Sequence, residues 1–325
     1  VTDSVSPVEI ITDQSTPAFP GERTVATIGA YDGVHLGHLA VIDHVKRLAA
    51  ERSARSVLVT FDKHPATVVR PESAPQLLTD AEQRLELLTA TGLDAVVLVP
   101  FDEQQASETA ESFVQRVLVD CLAVSAVVIG EDFHFGHDRK GNVELLRKTG
   151  SDQDFDVEPL LLVSRADGVD EPVSSTAIRR ALAGGDISRA NEMLGHAFEA
   201  RGSVQQGDQR GRLLGFPTAN VEVSSRICLP ADGVYAGRYE RANGEVHDCA
   251  INLGRRPTFY EHAETSLLEA HLLDFEGDLY GEAAKVRFTH FLRSERKFDG
   301  VEALIEQLRA DVESARTLLI DARDD

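Results

Sequence analysis

The sequence predicts two domains of different class, an α/β unit over residues 1–186 and a mainly β unit over residues 187–325. Three observations carry that expectation. Short apolar runs alternate with helical patterns as far as residue 185 and then cease to do so. Beyond residue 194, strand-like runs follow one another, divided by Gly, Asn, Asp and Pro, with no helix between them. The length, 325 residues, also exceeds what a single core comfortably holds.

Residues 1–24 are polar and contain Pro, so the N-terminus is expected to fray. The runs 25–28, 57–61, 95–99, 126–129 and 160–163 read as buried strands. Between them Val41, Ile42, Val45, Leu48 and Ala49 keep a helical period, as do Leu85, Leu87 and Leu88, and then Phe113, Val117 and Cys121. Thr79-Asp80-Ala81-Glu82 has the capping-box pattern, and Ser107 is the expected cap of the third helix. Strand–helix–strand alternation calls for parallel strands joined by right-handed crossovers, the doubly wound arrangement. A helix from near Ser174 stops at Gly184-Gly185, and Asp186 caps a short helix ending at Leu194. Strand-like runs at 219–223, 233–239, 246–251, 266–273 and 285–291 then point to an antiparallel barrel or sandwich. One amphipathic helix follows over 301–320, with Val301, Leu304, Ile305, Leu308 and Val312 on its apolar face. There is no internal repeat and no low-complexity segment.

A hydrophobic content of 42% supports folded domains, and the formal charge of −21 argues against nucleic acid or an anionic membrane as partner. Any anionic substrate must therefore be held by a local pocket. Cys121, Cys228 and Cys249 show no CxxC spacing, so neither a zinc site nor a disulfide framework is expected. No stretch has the pattern of a signal peptide or the length of a membrane span, and the expected location is the cytoplasm. The sequence leaves open whether the chain forms a homo-oligomer.

The chemistry concentrates at strand ends and helix starts. Gly29-Ala30-Tyr31-Asp32-Gly33-Val34-His35-Leu36-Gly37-His38 joins a strand to a helix, at the sheet edge where ligands bind in such folds. Histidines spaced i, i+3 at a helix start can face phosphate together with free backbone N–H groups. Val128-Ile129-Gly130-Glu131-Asp132-Phe133-His134-Phe135-Gly136-His137 also follows a strand, and Ser174-Ser175-Thr176-Ala177-Ile178-Arg179 opens a helix with hydroxyls and a cation. Singly, each has a bland explanation: solvated histidines, an ordinary turn, a plain N-cap. Their joint occurrence in one βα framework favours a nucleotide site. In the second half, Gly207-Asp208-Gln209-Arg210-Gly211-Arg212-Leu213-Leu214-Gly215-Phe216-Pro217-Thr218-Ala219-Asn220 offers backbone that can approach phosphates. Its Thr218 and Asn220 supply two neutral oxygens suited to Mg²⁺. A turn leading into a strand explains the same residues if they stand alone.

The Gly29-to-His38 segment resembles the HxGH signature of the nucleotidyltransferase superfamily, with His35 and His38 as its histidines, and Ser175-Thr176-Ala177-Ile178-Arg179 resembles that superfamily's second phosphate motif. Thr60-Phe61-Asp62-Lys63-His64-Pro65 and the 130–136 segment narrow the resemblance to FAD synthetase (FMN adenylyltransferase). Lys63 stands where that family usually has Pro, and Tyr31 where it usually has Phe. Residues 200–298 resemble riboflavin kinase through the GRxLGFPTAN segment, 230–237, Asn252-Leu253-Gly254-Arg255-Arg256-Pro257-Thr258-Phe259, Leu268-Glu269-Ala270-His271 and 291–298. The two matches cover nearly the whole chain after residue 24, in the order of a prokaryotic bifunctional riboflavin kinase/FAD synthetase.

That resemblance implies a nucleotidyltransferase domain and then a small six-stranded antiparallel β-barrel with a C-terminal helix. It implies phosphorylation of riboflavin by ATP to FMN, then adenylylation of FMN by a second ATP to FAD with loss of pyrophosphate. Adenylyl transfer rests on positioning and charge stabilisation, not on a protein nucleophile. By the resemblance, His35 and His38 act catalytically there, and Gly29, Asp32, Asp132, Ser175, Thr176 and Arg179 bind nucleotide. In the kinase, Gly211, Arg212 and Gly215 bind nucleotide, Thr218 and Asn220 hold Mg²⁺–ATP, and Glu269 is general base toward the ribityl 5′-hydroxyl. No GxxxxGK[ST] loop occurs, which excludes the P-loop way of holding ATP. Two rival readings are a nucleotidyltransferase for another phosphate-bearing acceptor, such as a pantetheine or glycerol phosphate, and a flavin-binding regulatory or carrier protein without turnover. The first leaves the second half unexplained, and the second leaves the reactive residues without purpose.

Overall fold

The computed structural model describes residues 7–160, 172–207, 210–255 and 266–321. The chain divides into two compact units, Val1–Pro75 with Ala81–Ser174, and Gln76–Asp80 with Ser175–Asp325. The boundary expected at 186/187 falls inside the second of these.

The first unit is built on six parallel strands: β1 (Glu9–Ile11), β2 (Thr24–Ile28), β3 (Arg55–Phe61), β4 (Ala95–Val99), β5 (Val124–Gly130) and β6 (Asp156–Leu160). Their spatial order is β1-β4-β3-β2-β5-β6. Helices α1 (Leu36–Glu51), α2 (Ala66–Val69), α3 (Ala81–Thr89), α4 (Glu103–Ser107), α5 (Ala110–Phe113) and α6 (Val143–Gln153) intervene. Alternate strand residues serve opposite layers, as a doubly wound sheet requires. Val25, Leu58, Val96 and Val128 pack with Val45, Leu48 and Leu88, whereas Ile28, Val59, Val97 and Ile129 pack with Phe113, Val117 and Leu146. The chain leaves β2 for β3 on one side, while β5 pairs with β2 on the other. The loop after β2 therefore stands at the topological switch point, where such folds bind ligands.

Several local expectations shift. The N-terminus expected to fray contributes β1, which pairs with β4 from Glu9↔Ala95 to Ile11↔Val97; three residues are too few to show a period. The strand expected at 160–163 is β6, ending at Leu160, and 161–163 lie outside the described residues. An edge strand of Asp156, Val157, Glu158 and Pro159 carries no apolar run to read. Thr109, not Ser107, caps the third helix, accepting the Ser112 amide at 3.2 Å. That helix continues from α5 as a π-helix over Val114–Cys121, keeping Val114, Val117, Leu118 and Cys121 buried.

In the second unit α7 (Ser175–Ala183) and α8 (Ile187–Leu194) come first, and the Asp186 side chain caps α8 through the Arg189 amide. The strands β7 (Phe198–Gln205), β8 (Ala219–Val223), β9 (Gly233–Arg241), β10 (Val246–Arg255), β11 (Ser266–Leu272) and β12 (Ala283–Arg293) close a barrel in the order β10-β11-β8-β7-β12-β9. Every pairing in it is antiparallel. A short helix α9 (Arg210–Leu213) precedes β8, and α10 (Val301–Asp321) follows β12. The barrel is filled by Phe198, Tyr235, Tyr239, Val286 and Phe288. The strand that the sequence did not announce is β7, whose Glu199 and Arg201 interrupt its apolar positions. Buried Glu199 accepts from Arg201 and Arg287 at 2.7 Å each, so the interruption is neutralised across the barrel wall. On α10, Val301 is exposed, and burial centres on Ala315 and Leu319, further along the helix than expected. Among the described residues no helix is long and apolar enough to cross a membrane.

Candidate active sites

The 29–38 loop carries Gly29 and Asp32 and ends on His35, the N-cap of α1. His35 is buried, and its Nδ1 accepts the His38 amide N–H at 3.3 Å, which places the His35 ring proton on Nε2. The two imidazoles stack with centroids 3.6 Å apart and planes 15° from parallel. Burial, and then the neighbouring His35, hold His38 well below the ordinary imidazole range. His38 therefore works as a neutral ring, and both imidazoles can donate N–H to a phosphate oxygen. The His38 Nδ1 is buried without a partner.

The loop backbone is strained where it turns. Tyr31 and Val34 hold φ of 51° and 39°, a region that β-branched residues rarely enter. A Cβ on Gly29 would come within 2.9 Å of the Tyr31 ring, and one on Gly37 within 3.2 Å of the His35 ring. The Tyr31 ring stands 4.7 Å from that of His38, and its hydroxyl pairs with Thr27 Oγ1 at 2.7 Å, a bond the more usual Phe would not make. After β3, Asp62 Oδ1 accepts the amides of Lys63 and Phe101 at 2.7 Å each, so Lys63 uses an N–H that Pro would lack. Asp132 lies exposed in the turn after β5, the strand beside β2, where its carbonyl accepts from His134 Nδ1 at 2.8 Å.

One functional candidate escaped sequence reasoning. Arg84 of α3 is only 6% exposed, and it donates to Ala30 O at 3.1 Å, to Phe61 O, and to Asp62 O at 3.4 Å. Its only signal was an arginine four residues before buried Leu88, on the apolar stripe of its helix.

Ser175, Thr176 and Arg179 open α7, which groups with the second unit. Arg179 Nε donates to Gln76 O at 2.6 Å. The adjacent Leu77 is pinned in turn, its amide donating to Arg226 O at 2.7 Å and its carbonyl accepting from Cys228 N at 2.8 Å.

Around the barrel, β8, β11 and β10 bring Asn220, Glu269 and Asn252 into lateral register. Asn252 Nδ2 lies 3.4 Å from Glu269 Oε2. A hollow of about 760 Å³ is lined by Gly211, Phe216, Thr218, Asn220, Asn252 and Glu269, among others. A second hollow of about 600 Å³, lined by Arg212, Leu272, Phe275 and Tyr280, shares Thr218 and Asn220 with it. The Asn220 Oδ1 is buried with no hydrogen-bond partner. An orphaned acceptor beside a threonine hydroxyl fits a hard divalent cation that draws its other ligands from phosphate and water. Among the described residues no group of three or more His, Cys, Asp or Glu could hold a metal, so these neutral oxygens are the candidate ligands. Gly215 lines neither hollow and supplies a turn at φ +86°. His271 Nδ1 pairs with Pro217 O at 2.8 Å and its ring meets Phe216 edge-on, which fixes the segment leading to Thr218.

The far wall of the larger hollow is a charged brace. Arg293 grips Asp311 of α10 through Nε at 2.9 Å and a terminal nitrogen at 2.7 Å, with Gln307 donating to the same carboxylate at 2.7 Å. Burial, and then Asp232, with Glu269 contributing, push the Glu295 carboxyl above its usual range.

A family model for FAD synthetase matches residues 20–177, and one for riboflavin kinase matches residues 194–319. The chain is similar to a bifunctional riboflavin kinase/FMN adenylyltransferase from Listeria monocytogenes serovar 1/2a, with 36% identity over 301 residues, 92% of this chain and 94% of that one. A relative of the same name from Pseudomonas fluorescens is 40% identical over 294 residues, 90% of this chain and 92% of its own. The crystal structure of a macrolide-efflux protein from Streptococcus pneumoniae superposes with a TM-score of 0.82 at 30% identity, covering 95% of this chain and 98% of that one.

Proposed function

The chain belongs to the bifunctional riboflavin kinase/FMN adenylyltransferase family, and on that premise we propose which residues perform each transfer. Riboflavin and ATP give FMN and ADP; FMN and a second ATP give FAD and pyrophosphate.

For the kinase step, the observation that carries the assignment is the orphaned Asn220 Oδ1, on the strand that pairs with the one bearing Glu269. Thr218 and Asn220 would hold Mg²⁺, which when bound offsets the negative charge of the ATP phosphates. Glu269 accepts the proton of the ribityl 5′-hydroxyl while that oxygen attacks the γ-phosphorus and ADP leaves. Asn252 steers the carboxylate by its hydrogen bond. The smaller hollow, beside Arg212, suits the nucleotide, while Gly211 lines the larger hollow next to it and Gly215 supplies the turn that leads to Thr218. The larger hollow suits the isoalloxazine and ribityl groups.

For the adenylyl step, an FMN phosphate oxygen attacks the α-phosphorus of ATP and pyrophosphate departs. The nucleophile is already anionic, so no general base is needed. His35 and His38 donate to phosphate oxygens as charge shifts, while Gly29, Asp32, Asp132, Ser175, Thr176 and Arg179 hold the nucleotide. Small-molecule substrates and two ATP-consuming steps fit a cytoplasmic setting, and the −21 charge fits the absence of a nucleic-acid partner.

Thr218→Ala and Asn220→Ala test the division. Each should impair FMN production from riboflavin while sparing FAD production from supplied FMN. A parallel fall of both steps in folded protein would contradict it.

A further inference from the structure

We infer that Arg84 is a positioning residue for adenylyl transfer: its guanidinium fastens the 29–38 loop to the loop after β3 and thereby sets where the paired histidines stand. The inference rests on the assignment of adenylyl transfer to His35 and His38. Arg84 sits on α3, outside both loops, and is nine-tenths buried. All its hydrogen bonds go to main-chain carbonyls, those of Ala30, Phe61 and Asp62. Among the described residues no carboxylate lies within ion-pair distance of it. Burial draws the guanidinium below its ordinary range, against the pull of Asp32 and Asp62.

A buried cation solvated only by carbonyl dipoles is poor design for stability alone, since an apolar side chain would fill the space without the desolvation cost. It is good design for orientation. The planar fork reaches separate acceptors at once, which neither Lys nor Met can do. Ala30 O also takes a 3.4 Å contact from Thr60 Oγ1, so β3 and α3 converge on the same carbonyl. The next residue is Tyr31, whose ring touches that of His38 and covers Gly29. A shift of the Ala30 carbonyl thus passes to the histidine pair through one aromatic ring.

The test uses the full chain as Arg84→Met and Arg84→Lys, with riboflavin phosphorylation in the same preparations as the control for folding. A misplacement of about 1 Å costs about 10²-fold in rate. Arg84→Met should therefore lower kcat for FMN adenylylation by about that factor, with KM for FMN and ATP within about threefold and phosphorylation unchanged. Arg84→Lys, keeping the charge and a donor for one of the carbonyls but not the fork, should recover about tenfold of the loss. An Arg84→Met rate within about threefold of the parent overturns the inference. If hydrogen exchange shows the first unit of Arg84→Met unfolded, Arg84→Lys decides: reduced kcat with parental exchange supports the role, and parental kcat refutes it. His38→Ala, assayed alongside, separates the two ideas. If it too leaves adenylylation intact, the histidine assignment has failed; if it alone abolishes adenylylation, only the inference about Arg84 has.

Discussion

Gly207→Ala is the most exacting perturbation of the kinase site, because it adds one methyl group and removes nothing. A Cβ on Gly207 would lie 2.5 Å from Asn220 Nδ2, 2.7 Å from Cγ and 2.8 Å from Oδ1. Real Cβ contacts essentially never fall below 3.0 Å, so the amide must move. The backbone cannot easily give way, since Asn220 is paired with Gln205 on one side and Glu269 on the other. The side chain must then rotate away from its present direction, at about 0.5–1.5 kcal/mol for an off-rotamer χ and about 1–3 kcal/mol for overpacking. Mg²⁺ demands near-ideal ligand placement at about 2.0–2.1 Å. Displacement of one ligand oxygen should therefore appear as a loss of about 1–3 kcal/mol in transition-state stabilisation, or about 5- to 150-fold in kcat/KM for riboflavin phosphorylation. Chromatographic resolution of FMN formed across a Mg²⁺ series measures it, and the loss should shrink as Mg²⁺ rises. FAD formation from supplied FMN should be unaffected. A kinase within twofold of the parent, with the same Mg²⁺ dependence, would refute the role given to Asn220.

Glu269→Gln keeps the volume and the Asn252 hydrogen bond but loses the basic oxygen; single-turnover phosphorylation at saturating substrates should slow by about 10²–10⁴-fold, and a change of only a few-fold would sink the base assignment. Because the folded state holds His38 below the ordinary imidazole range, the unfolded chain binds that proton first. The contribution of neutral His38 to stability is whole above the unfolded value of about 6.5 and is lost as pH falls below it, so His38→Gln should flatten the fall in Tm between about pH 7.5 and about pH 5.5; identical slopes would speak against a buried neutral imidazole. Asp311→Asn leaves Arg293 without its carboxylate; urea unfolding of the barrel unit should show a loss of about 3 kcal/mol, the low end for a broken buried pair because Arg293 still reaches solvent, and a loss under about 1 kcal/mol would deny the brace its role.

Local pattern made much of this architecture readable. Strands 95–99 and 219–223 stand where their apolar positions put them, the first as a run buried on both faces and the second as an alternation. The missing strand, β7, was hidden by Glu199 and Arg201, whose charges make sense only once Arg287 of β12 is seen opposite. β1 is a three-residue edge with no period, and the Ser107/Thr109 exchange depended on which of two neighbouring hydroxyls met a helix start. The residues proposed for the kinase site, Thr218, Asn220 and Glu269, stand out in the sequence because they sit in uncommon motifs, but their arrangement is a matter of register: Asn220, Glu269 and Asn252 are neighbours only because three strands align. The lowered basicity of His38 was not legible, since it follows from burial and from the His35 ring stacked on it. Arg84 was invisible for a related reason: on an amphipathic helix an arginine reads as solvated until the carbonyls around it are known.

The central claim, two chemically separate transfers in one chain, is tested most directly by supplying His38→Ala with riboflavin, Mg²⁺ and ATP and following all three flavins with time. Loss of a donor to developing charge costs about 3–4 kcal/mol, or about 10²–10³-fold. FMN should accumulate at the parental rate and persist, with FAD suppressed by that factor. FAD appearing at the parental rate, or FMN production falling along with it in folded protein, would contradict the account.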